Sequence, residues 1–128
     1  MVYKLDMIRT SGVVDKEDSN KNFVYFFHLS GNFVMEMSDE FSLLMSTLIS
    51  GGMKKVVFDL LELKYIDSTG IGLVISVAKQ LRAKGGDLAF FNVNPVVLEI
   101  FNLVKMDDFI QFFRGEKQIH EHFFAPKI

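Results

Sequence analysis

No cysteine occurs among the 128 residues, which excludes a disulfide framework, a thiolate zinc site, a cysteine nucleophile and thiol redox chemistry. A basic excess is missing too. The formal net charge is −2, so there is no electrostatic footprint for tracking nucleic-acid phosphates. Long apolar runs are absent. The stretch Ile71 to Ala78 falls far short of the ~20 residues that span a bilayer. The start, Met1 to Asp6, lacks the basic segment and apolar run of a secretory signal. A cytoplasmic chain with no membrane insertion is expected. Only two prolines occur, Pro95 and Pro126, and neither marks a linker. No repeat or low-complexity tract is visible. There is no tryptophan, but there are 14 phenylalanines, a large aromatic load for one small core. Hydrophobic residues at 49% and charged residues at 23% are ordinary globular values. Residues 1–128 therefore read as a single domain.

Residues 2–8 alternate, with Tyr3, Leu5 and Met7 on one face and Lys4 and Asp6 on the other, the pattern of a half-buried strand. Residues 11–22 are polar and turn-rich and read as a loop or hairpin connection. Phe23 to Leu29 is an aromatic and β-branched run, hence a buried strand. Gly31-Asn32 interrupts it. From Val34, the apolar positions Met37, Phe41, Leu44, Met45, Leu48 and Ile49 carry helical spacing, ended by Gly51-Gly52. Lys55 to Leu60 reads as the central strand. A second helix starts near Ser68, with a stripe of Ile71, Val74, Ile75, Ala78 and Leu81. Leu88 to Val93 is a further strand. Asn94-Pro95 opens a third helix, since proline in the first turn gives up no hydrogen bond. Phe109 to Phe113 and residues 115–124 read as a last strand and helix. The order β-β-α-β-α-β-α-β-α predicts an α/β fold. Its mixed sheet has parallel core strands and an antiparallel N-terminal strand. Ligands of such sheets gather at the carboxyl ends of the strands, here the loops after Leu29, Leu63 and Val93.

The segment Tyr65-Ile66-Asp67-Ser68-Thr69-Gly70-Ile71-Gly72 lies at that edge. Asp, Ser and Thr are good N-caps, so a well-capped helix is one complete explanation. An open helix start carrying a hydroxyl is also a natural place for a phosphate, bound or covalent. Sharper motifs fail on the letters. A nucleophile elbow needs glycine where Ile66 stands, and no phosphate loop ending in Gly-Lys-Ser/Thr occurs. A single Asp67 does not make an aspartic-protease dyad. His28 sits among apolar strand residues and reads as a hydrogen-bonded structural histidine. His120 and His122, two apart, face different sides of a helix, so no metal site is expected. No cofactor is called for.

These letters resemble the STAS domain of bacterial anti-sigma factor antagonists. Three stretches carry the likeness: Val56-Val57-Phe58-Asp59-Leu60 with Tyr65 to Gly72, Gly86 to Pro95, and the segment through Met106-Asp107-Asp108-Phe109. The resemblance implies a STAS-like fold and a non-enzymatic phosphoprotein in transcription regulation by partner switching. Such an antagonist binds an anti-sigma factor of the histidine-kinase-like serine kinase fold and frees the sigma factor. The kinase phosphorylates the serine that follows the motif's aspartate, the complex dissociates, and a serine phosphatase resets the cycle. That serine is Ser68, with Thr69 as the alternative acceptor. The implied partner surface comprises Asp67, Thr69, Gly70, Ile71 and Gly72, with Asn32 and Asn94 on neighbouring loops. Two departures stand out. The family's Gly-Glu-hydrophobic-Asp run reads Gly31-Asn32-Phe33-Val34, so both acids are gone. A turn that often holds glycine reads Val104-Lys105-Met106. The rival within the same fold is a stand-alone scaffold or accessory subunit of a transport or sensor complex. A serine hydrolase using Ser68, with His28 as base, is a distant third. The phenylalanine load leaves a homodimer open.

Overall fold

A computed structural model describes residues 2–9 and 23–124. The loop expected over 11–22 lies outside them. The elements run β1 (Val2–Arg9), β2 (Phe23–Phe33), α1 (Met35–Ser50), β3 (Lys55–Asp59), β4 (Leu63–Ile66), α2 (Ser68–Ala83), β5 (Asp87–Phe91), α3 (Pro95–Leu103), a 3-10 turn (Met106–Asp108), β6 (Gln111–Phe113) and α4 (Glu116–Phe124). The mixed α/β sheet expected from the sequence is present, with β4 as an addition. The strand order is β1-β2-β3-β5-β6, so β3 is central, and β4 pairs with β2 off that path. Among the described residues, only the β1–β2 pairing is antiparallel.

The long strand β2 has two partners. Tyr25 to His28 pair with Val56 to Asp59 of β3, and Gly31 to Phe33 pair with Leu63 to Ile66 of β4. The register shifts between Gly31 and Asn32, and Gly31 has φ 81°, which only glycine takes without penalty. The glycine that reads as a strand end in the sequence is thus a bulge inside a longer strand. It lets β2 leave β3 and pair with β4 beside the start of α2.

One sheet face packs against α1, α2 and α3. Phe41, Met45 and Ile49 of α1 recur every four residues and are buried, as are Val74, Val77, Ala78 and Leu81 of α2. Between helices and sheet, Phe27, Phe33, Phe41, Phe58, Phe90 and Phe101 are fully buried. The Phe41 ring meets Phe33 edge-on at 5.3 Å, and Phe90 stacks on Phe101 at 5.0 Å, both favourable quadrupole geometries. No phenylalanine is among the strongly exposed large apolar side chains of the described residues, so the aromatic load builds the core. On the opposite face α4 contributes Ile119 to a smaller cluster with Val24, Phe26 and Val57.

Lys105, in the Val104-Lys105-Met106 turn, takes φ 54° and ψ 44°. A side chain there crowds the following carbonyl. Among the described residues, no helix is long and apolar enough to cross a membrane.

Candidate functional site

Asp67 is the N-cap of α2, in extended conformation. Its Oδ1 accepts the Gly70 amide hydrogen at 2.8 Å, the capping bond its sequence position predicts. Its Oδ2 accepts the Met35 amide hydrogen at 3.1 Å. Met35 is the first residue of α1, whose own N-cap, Val34, has no side chain able to cap. One carboxylate therefore caps two helices. It does so beside position 34, where the resemblance implies an acid and this chain carries valine. The Asp67 backbone adds two further bonds: its N–H donates to the Phe33 carbonyl at 3.1 Å, and its C=O accepts from Ile71 at 2.9 Å.

Gly70 is fixed by space. A Cβ there would lie 2.7 Å from the Phe33 carbonyl oxygen and 2.7 Å from Ile66 Cγ1, inside van der Waals contact. Gly72, one turn edge further, is exposed, and a Cβ there would meet nothing within 4 Å. The glycine pair thus splits into one packing position and one bare surface position.

Ser68 is the first residue of α2 and is exposed, and its hydroxyl makes no hydrogen bond to the described residues. The amides of Gly70 and Ile71 are already taken by Asp67. Those of Ser68 and Thr69 remain as the outermost donors of the helix start. Thr69 is half-buried, and Ile71 is half-buried against the main core. Asn32 is exposed on β2, in register with the exposed Tyr65 of β4. The structure thus brings Asn32 and residues 67–72 to one edge.

Asn94 is engaged differently. Its Oδ1 accepts the Val97 amide hydrogen at 3.0 Å and caps α3. Its Nδ2 donates to the carbonyls of Leu60 at 2.9 Å and Leu61 at 3.2 Å, and also to that of Leu63. This half-buried side chain holds the β3–β4 turn against α3. Beside it lies a hollow of about 400 Å³ lined by Leu61, Leu63, Pro95 and Val96. Leu61, Val96 and Met35 are exposed apolar side chains that sequence reasoning did not single out. Val96 lies off the buried Val97 and Phe101 stripe of α3, the one signal that could have marked it.

The histidines are spent elsewhere. His28 lies between Asp59 (Nδ1 to Oδ2, 2.8 Å) and Asp6 (Nε2 to Oδ2, 2.9 Å). A base for Ser68 would need a free nitrogen beside its hydroxyl, and the described residues assemble no such pair. His122 contacts Asp87 at 2.9 Å, and Asp87 also binds Arg82 at 2.8 Å, tying α4 to the start of β5. No group of three metal-ligating side chains forms among the described residues.

A small mixed sheet with Asp-Ser-Thr-Gly at the start of a buried helix defines a class. The STAS domain model matches residues 15–119, and the chain belongs to that family. A Bordetella bronchiseptica protein named as a candidate anti-sigma factor antagonist, BtrV, is 42% identical over 55 residues, which cover 43% of this chain and 47% of that protein. An anti-sigma F factor antagonist of Paenibacillus polymyxa is 30% identical over 81 residues, covering 62% and 69%. The chain thus spans about half the length of the first relative and over two thirds of the second. Among solved structures, the anti-sigma factor antagonist SpoIIAA in its unphosphorylated form superposes with a TM-score of 0.74 at 18% identity, covering 98% of this chain and all of that one.

Proposed function

We propose that this chain is an anti-sigma factor antagonist, a binding module whose edge at Asp67 to Gly72 docks on an anti-sigma factor serine kinase and is released when Ser68 is phosphorylated. The observation that carries this reading is the Ser68 hydroxyl, exposed at the first position of α2 and hydrogen-bonded to none of the described residues. A kinase can reach it without opening the fold. Thr69, half-buried, is the poorer acceptor. The names of the relatives support the role.

Phosphorylation adds about −1.5 to −2 charges. The free amides of the helix start favour that charge locally, whereas the neighbouring Asp67 carboxylate opposes it. Since Ser68 holds nothing in place, the frame stays as it is. The phosphate acts on the docked partner, where a dianion in a drying interface is costly. Release follows by charge and bulk, without refolding. A serine phosphatase then restores the binding form.

The test incubates the protein with ATP and each histidine-kinase-like serine kinase of its own organism and locates phosphate by mass spectrometry. Phosphate on Ser68, absent in Ser68→Ala and weakening the kinase complex, is expected. Folded protein that takes no phosphate from any of these kinases would overturn the reading and turn attention to a stable scaffold complex.

A further inference from the structure

The long edge of the sheet is β1. Among the described residues it pairs on one side only, with β2, in an unbroken antiparallel register from Val2–Ser30 to Arg9–Phe23. Among the described residues, the other strands with one open side, β4 and β6, have four and three residues, short templates for a partner strand. Edge strands are usually blunted by proline, a bulge, brevity or a covering element. The eight residues of β1 contain no proline or glycine, and their register has no bulge. Val2, Tyr3 and Leu5 are 71%, 38% and 37% exposed. A lone lysine on such a strand would read as a guard against pairing. Here Lys4 is followed two residues later by Asp6, on the same face.

We infer that β1 is a self-pairing surface, on which a second copy of this chain adds its own β1 antiparallel, with the two-fold axis through Leu5. That register is selected by charge and face. It sets Lys4 of each copy opposite Asp6 of the other, and Leu5 opposite Leu5. Directly opposed side chains stand about 4.5–5.5 Å apart at Cβ, close enough for ion pairs. An axis through Lys4 would oppose lysine to lysine, and one through Asp6 would oppose aspartate to aspartate. A one-residue slip would put charged positions against apolar ones across the pleat. Asp6 already sits with Asp59 on the single His28 ring, two carboxylates to one imidazole. Lys4 of the second copy would supply a cation beside that carboxylate pair. On the other face, Tyr3 packs at 5.7 Å from Phe41 and 6.5 Å from Phe27, so the apolar side of β1 is continuous with the main core. Pairing joins the two cores across the edge. None of residues 67–72 takes part, so the inference stands apart from the phosphorylation reading.

Sedimentation velocity on the full chain, from micromolar to several hundred micromolar, tests it. Wild type should form a dimer. Lys4→Glu and Asp6→Lys should each weaken it on the order of tenfold or more, because each places like charges opposite one another twice. An equimolar mixture of the two variants should recover the dimer, since Glu then faces Lys and Asp faces Lys. That recovery also shows that both variants are folded. Leu5→Cys, in a chain with no other cysteine, should give a disulfide-linked dimer under mild oxidation. A wild type monomeric at several hundred micromolar, a dimer indifferent to both reversals, or a mixture that fails to recover would each overturn the inference.

Discussion

The carboxylate of Asp67 accepts the amide hydrogen of Met35 at 3.1 Å, across 32 residues of sequence, while capping its own helix at Gly70 with its other oxygen. Removing it should loosen two helix starts at once. Asp67→Ala should cost about 2 kcal/mol of folding stability, twice a typical single cap. Asp67→Asn keeps one acceptor oxygen and should cost about half as much. Urea denaturation of the three proteins checks the order, and equal stability of Asn and Ala variants would refute the double cap.

Gly70 and Gly72 should respond with opposite signs to the same substitution. Gly70→Ala forces a methyl onto the Phe33 carbonyl and should destabilise by about 1–3 kcal/mol. Gly72→Ala meets open space inside a helix and should stabilise by about 0.5–1 kcal/mol. Thermal melts decide this. If Gly72 lies under the docked partner, the more stable Gly72→Ala protein should nevertheless bind the kinase more weakly.

Ser68→Ala and Ser68→Asp should both melt within about 0.5 kcal/mol of wild type, as exposed substitutions do. Their binding should diverge. Ser68→Ala should hold the kinase as wild type does, and Ser68→Asp should bind on the order of tenfold or more weakly. Calorimetric titration reads this directly. An unfolded Ser68→Asp protein would contradict release without refolding.

Asn94 distinguishes donor from acceptor. Asn94→Asp keeps the oxygen that caps Val97 but presents a carboxylate to the carbonyls of Leu60, Leu61 and Leu63. It should therefore cost at least as much as Asn94→Ala, about 2–3 kcal/mol. A near-neutral aspartate would mean that the turn is held by other contacts.

Lys105→Gly should stabilise by about 1 kcal/mol, because glycine takes the left-handed geometry at φ 54° without the Cβ clash. Chemical denaturation is again the measure, and a loss of stability would show that the lysine stem contributes more than its backbone costs.

What the sequence made legible follows from range. Helix periodicity around Phe41 and Val74, the cap at Asp67, and proline after Asn94 are local signals, and they placed α1, α2 and α3. Strand β4 was hidden because its buried ends, Leu63 and Ile66, bracket exposed Lys64 and Tyr65, which breaks the period of two. The bonds from Asp67 to Met35 and from Asn94 to the β3–β4 turn join residues more than 30 positions apart, so no pattern along the chain announces them. Phenylalanine content signalled aromatic packing without saying where. The edge-on and stacked rings around Phe41 and Phe90 place it in the core.

The two partners of β2 have a consequence for diversification. The frame of the edge is built from backbone bonds and buried atoms: the Phe33 carbonyl, the missing Cβ of Gly70, and the Asp67 carboxylate turned onto amides. Asn32, Tyr65, Ser68 and Gly72 lie at the same edge with exposed positions and contribute little to that frame. On the proposed reading, the atoms that meet the partner and the atoms that hold the fold are therefore separate. The outward positions can be rewritten toward a new partner while the scaffold beneath them keeps its shape.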